Sequence, residues 1–137
     1  MSRIINLNSP GKERTRLTRA VVLAVRELAK QSGPGDAARD LAAFIALALQ
    51  AIAETIDASV SAWEKRGYWV KADRFRMAWL WSGQSAERMR AAVLAEDWAA
   101  VAQIAAQVAQ RLYGVNLAQN PRLGRPWLGA YKVISEQ

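Results

Sequence analysis

The sequence predicts an all-α fold, an up-down-up-down four-helix bundle with an irregular C-terminal extension. Three observations carry that expectation. Apolar side chains recur at intervals of three and four through each long segment, and no stretch alternates in the period of two that a strand requires. Turn-forming residues fall at a few sharp places, so connections are short and successive helices must run antiparallel. Alanine fills 27 of the 137 positions, which favours helix and lets helix axes approach closely.

Residues 1–9 read as an N-terminal arm. Their apolar content is limited to Ile4, Ile5 and Leu7, with no apolar stretch behind it, so no signal peptide is expected. Ser9-Pro10 supplies an N-cap followed by proline at the first helical position. Helix one is expected over about residues 10–31, with Leu17, Val21, Ala24 and Leu28 inward, and Ser32-Gly33-Pro34-Gly35 stops it. Helix two, about 36–66, carries Leu41, Ile45, Ala48, Ile52, Ile56, Val60 and Trp63 at intervals of 4, 3, 4, 4, 4 and 3. Its longest apolar run, Leu41 to Leu49, has nine residues where a spanning helix needs roughly 20, and it reads as core.

Gly67 ends helix two. Helix three, about 68–95, places Tyr68, Ala72, Phe75, Trp79, Ser82, Ala86, Met89 and Val93 inward. A break at Ser82-Gly83 would divide it and give five helices. Helix four, about 97–113, starts at Asp97 as N-cap and shows Trp98, Val101, Ala105, Val108 and Leu112 before Gly114. The bundle thus covers 10–113 of a single domain spanning 1–137. Over 114–137, Pro121, Gly124, Pro126 and Gly129 argue against regular helix, while Leu117, Leu123, Trp127, Leu128, Tyr131, Val133 and Ile134 are too apolar for a free tail. This segment is expected to pack on the bundle or on a second subunit.

Composition limits the chemistry. The chain has no Cys and no His, which removes thiolate catalysis, Ser-His and Cys-His bases, and the usual transition-metal ligands. Helical ribonucleases of the HEPN type, which need a His, are excluded with them, as are di-metal bundles built on Glu-x-x-His. Glu54-x-x-Asp57 resembles one of the two carboxylate pairs by which all-α nucleotide pyrophosphohydrolases hold Mg²⁺. Helix three offers only Asp73 and Glu87, fourteen residues apart, and half a site cannot share a metal. A carboxylate-metal enzyme on Glu54 and Asp57 is therefore the third of three readings. Gly33-Pro34-Gly35 and Gly11-Lys12 lack the context of a phosphate loop, and no cofactor or metal is expected.

Two surfaces stand out. The net charge is +7, and residues 1–30 hold seven bases against two acids. Lys12, Arg16, Arg19, Arg26 and Lys30 fall within about 80° of one another on a helical wheel, opposite Leu17, Val21 and Leu28. Such a stripe can follow a phosphate backbone, and binding of nucleic acid or another polyanion is the second reading. The segment Trp63 to Trp81 interleaves aromatics with bases. Trp63, Phe75 and Trp79 belong inward, while Arg74, Met77, Leu80, Trp81, Gln84 and Arg88 line the opposite face, with Trp127 of the C-terminal segment as a further contact residue. Tryptophan, methionine and arginine are the residues that protein interfaces enrich. Helix four agrees, since its polar face is Gln103, Gln107 and Gln110 with only Arg111 charged. The first reading is a non-enzymatic, cytoplasmic interaction or structural module, expected to be a homodimer, with no membrane partner.

Overall fold

The computed structural model describes residues 9–119 and 121–137. Among them are five α-helices and no strand: α1 (Pro10–Ala29), α2 (Asp36–Lys65), α3 (Trp69–Leu94), α4 (Trp98–Arg111) and α5 (Ala130–Ser135). The first four lie within two residues of the expected bounds. Ser9 Oγ accepts the Lys12 N–H at 3.3 Å, and Pro10 fills the first helical position. α2 ends where Gly67 takes φ 83°, which lets the Tyr68 N–H reach back to the Trp63 carbonyl at 2.9 Å. α3 ends the same way without glycine. Glu96 sits at φ 53°, and the Asp97 N–H bonds the Ala92 carbonyl at 2.9 Å. The Glu96 carboxylate also takes Arg39 Nη2 at 2.7 Å, tying this turn to the start of α2. Asp97 then accepts the Ala100 N–H on Oδ1 at 3.1 Å and caps α4.

Three expectations are corrected. α3 runs unbroken through Ser82-Gly83, because that pair is a contact rather than a hinge. Ser82 Oγ donates to the Leu49 carbonyl at 2.8 Å, and Gly83 lies against Ala53 of α2. Residues 114–137 are not wholly irregular, since α5 forms after the last glycine. Tyr68 is 53% exposed, because it precedes α3 as the cap residue and does not share the helix's inward face.

α2 is the central element. α1, α3 and α5 all pack on it, and α4 packs on α3 and the flank of α1. α2 and α3 run antiparallel, as Ser82 on Leu49, Arg76 on Glu64 and Glu96 on Arg39 show together. α1 is antiparallel to α2, with Arg14 on Thr55. Leu41, Ile45, Leu49, Ile52, Val21, Met89, Val93, Val101, Val108 and Ile134 are fully buried in one core that also takes in Trp127. A smaller cluster of Ile56, Val60 and Ala72, with Trp63, Phe75 and Trp79 against it, fills the far end of the α2–α3 pair. By length and composition α2 could also cross a membrane. Here its apolar face, the run from Leu41 to Leu49 included, lies against its neighbours.

The C-terminal segment closes the near end. Gly129 and Tyr131 donate their N–H groups to Asp40 of α2 at 3.1 and 2.9 Å, so one carboxylate holds the start of α5. Arg26 Nη1 donates to the carbonyls of Ala118 and Gln119 at 3.1 and 3.3 Å. The segment therefore packs on its own bundle.

Candidate interaction surface

The outward face of α3 is built by helical spacing. Val70, Arg74, Met77, Trp81, Gln84 and Arg88 recur at intervals of four and three and lie along one line of the helix. α4 covers only one end of this line. Arg88 Nη1 donates to Gln107 Oε1 at 3.0 Å, and Arg111 stands 5.8 Å from the centre of the Trp81 ring. Between the two helices Trp81, Gln84, Arg88, Gln107, Gln110 and Arg111 border an open recess of about 710 Å³. α4 ends at Arg111, so the line continues uncovered: Met77 is 62% and Leu80 48% exposed, and Arg74 is exposed as well.

Trp81 is only half-buried, yet it already has a partner inside the chain. Its ring stacks on Trp79, with centroids 5.7 Å apart and planes at 24°. Trp79 meets Phe75 at 6.4 Å, and Phe75 meets Trp63 edge to face at 5.0 Å. Each end and the middle of this four-ring ladder carries a cation. Lys71 Nζ is 4.4 Å from the Trp63 ring and Arg14 is 4.8 Å from the Phe75 ring, with Arg111 on Trp81. Such contacts are each worth about 0.5–2 kcal/mol, more as water is excluded. Arg14 is held further by Thr55 Oγ1 at 3.1 Å, and burial pushes its pKa below the ordinary arginine value. Trp127 is 7% exposed and lies in the core, so it offers no surface to a partner. The sequence places Trp63, Phe75 and Trp79 together on the inward side, as found, but not Trp81, because Trp79 and Trp81, two residues apart, start from opposite sides of the helix.

No family model matches the chain, nor does any curated protein or solved structure.

The basic line of α1 is largely engaged. Arg16 pairs with Glu13 and Lys30 with Glu27, while Arg26 spends its guanidinium on the C-terminal segment. Lys12 and Arg19 have no ion-pair partner among the described residues, and Arg19 borders an open recess with Asn116 and Arg122. Glu54 and Asp57 are both exposed on α2. No group of three or more His, Cys, Asp or Glu is placed to hold a metal ion among the described residues.

Proposed function

We propose that the chain is an up-down-up-down four-helix bundle, with α5 laid on it, that works as a non-enzymatic interaction module and self-associates through the outward line of α3. One observation carries this reading. The side of α3 that seats α4 runs on past Arg111 as Arg74, Met77 and Leu80, exposed and apolar at its centre. A helix from a second copy can take that place as α4 takes the place beside it. The charge balance supports the same face, because residues 98–110 of the adjoining α4 carry no charge in a chain of net +7. Two like-charged copies meet at least electrostatic cost where charge is sparse, here over Met77 and Leu80 with Arg74 at the edge. Trp81, with its ring already stacked, is a flank of this surface and not its anchor. The polyanion reading draws less support, since three of its five cations are already occupied.

Light scattering on the purified chain at about 200 μM tests the proposal, well above the range of weak micromolar dimers. The expected result is a dimer that Met77→Glu converts to monomer with unchanged helix content. Met77 is exposed, so the substitution leaves the fold intact. A wild-type monomer at that concentration would overturn the reading.

A further inference from the structure

The turn between α2 and α3 carries a further chemistry, and it shares only Val70 and Arg74 with the outward line of α3. Tyr68, Trp69 and Val70, consecutive in sequence, are 53%, 63% and 65% exposed. Residues 64–76 hold five cations (Lys65, Arg66, Lys71, Arg74, Arg76) and two carboxylates (Glu64, Asp73), a local charge of +3. The carboxylates are not available to the other cations. Arg76 takes both, Asp73 at 2.7 Å and Glu64 at 3.5 Å. Lys65, Arg66, Lys71 and Arg74 are all exposed, and none has an ion-pair partner among the described residues. The turn also stands clear of α4, which ends opposite Trp81, twelve residues or about 18 Å of helix before Trp69.

We infer that this tip is a docking surface for an anionic lipid membrane. Tryptophan and tyrosine are the side chains that settle at the boundary between headgroups and acyl chains, with the ring in the apolar layer and the polar atom in the wet one. Lysine and arginine beside them extend their charged ends back to the headgroups. The uncompensated cations add an attraction of about 1 kcal/mol each near an anionic surface. Gly67 to Lys71 border a wide, open recess of about 560 Å³ rather than an enclosed cleft that would grip a peptide, and the exposed cations around it favour an anionic surface. The tip is also a poor platform for single-stranded nucleic acid. Trp63 and Phe75 already carry Lys71 and Arg14. The two exposed rings, Tyr68 and Trp69, are successive residues at a helix start that point in different directions and form no continuous stacking face.

The test is sedimentation of the full chain with vesicles of phosphatidylcholine alone and of phosphatidylcholine with a quarter phosphatidylglycerol, at 0.1 M salt. Binding is expected to the anionic vesicles and not to the neutral ones. Lys65→Ala/Arg66→Ala should lower partitioning about thirtyfold, the equivalent of about 1 kcal/mol for each cation. Brominated acyl chains should quench part of the wild-type indole fluorescence, and Trp69→Phe should lose that quenching. All three residues are exposed, and far-ultraviolet dichroism checks that the variants fold. Equal binding to both vesicles, no binding to either, or anionic binding indifferent to these substitutions would each overturn the inference. So would a single-stranded oligonucleotide that binds where vesicles do not and is lost with Trp69→Ala. Met77→Glu, which tests self-association, leaves the tip untouched, so the two proposals fail separately.

Discussion

At the scale of single residues, Ser82 and Gly83 show how a correct local signal can have two structural outcomes. Serine and glycine inside a helix mark either a break or a close approach, and the choice depends on what stands opposite. Here Ala53 and the Leu49 carbonyl stand opposite, so both small residues serve the α2–α3 contact. The glycine itself is not required. A Cβ at position 83 would lie 3.7 Å from Ala53 Cβ, an ordinary contact, and its φ is not positive. Gly83→Ala should therefore stabilise the fold by about 0.5–1 kcal/mol, because alanine loses less backbone freedom on entering a helix. A thermal melt should rise by roughly 2–4 °C; a fall would mean that the helices cannot spare the space. The Trp79–Trp81 stack was illegible for a related reason. A helical wheel fixes where each Cβ starts, and an indole is large enough to swing round from there.

At the scale of elements, the four long helices were legible because period, caps and stops agreed with one another. Every inward residue read for α1, α2 and α4 is buried or half-buried. The reading failed at α5, whose initiating group is not local. Gly129 has no side chain, and the N–H groups at the start of α5 find Asp40, 89 and 91 residues away. No pattern within 115–137 could reveal that. Helices this short depend on tertiary support, so Asp40→Ala should release α5 first. By analogy with a lost N-cap the expected cost is about 1 kcal/mol. Hydrogen exchange should accelerate over residues 130–135 while α2 and α3 stay protected. Uniform acceleration across all helices would show instead that α5 melts only with the whole.

For the molecule as a whole, the charge total was legible and its use was not. The sequence concentrates basic charge in residues 1–30, yet pairing inside α1 and the reach of Arg26 to the C-terminal segment engage three of the five stripe cations. The α2–α3 turn, with only +3, leaves four exposed cations without an ion-pair partner among the described residues, because one arginine collects both nearby acids. The same arginines bear on pH. Hydrogen bonding to Glu96 raises the Arg39 pKa and hydrogen bonding to Asp73 raises that of Arg76, while burial lowers that of Arg14. A raised folded-state pKa gives stability that is complete below the unfolded value and lost only as pH climbs through the folded one. The lowered Arg14 works in the opposite sense, opposing folding while it is charged. For arginine both changes lie far above neutral pH. With no His and no Cys to titrate near neutrality, the melting temperature should vary by less than about 3 °C between pH 6 and 9. A steep slope there would expose a coupling among charges that these contacts do not contain.

The ring ladder has an optical consequence. Two indoles stacked 5.7 Å apart couple as a pair of oscillators, and such a pair gives a near-ultraviolet dichroism that isolated indoles lack. Because Arg111 of α4 rests on one of them, that band is a built-in gauge of whether α4 is seated. The molecule can thus report, without any label, when its shortest long helix leaves its place.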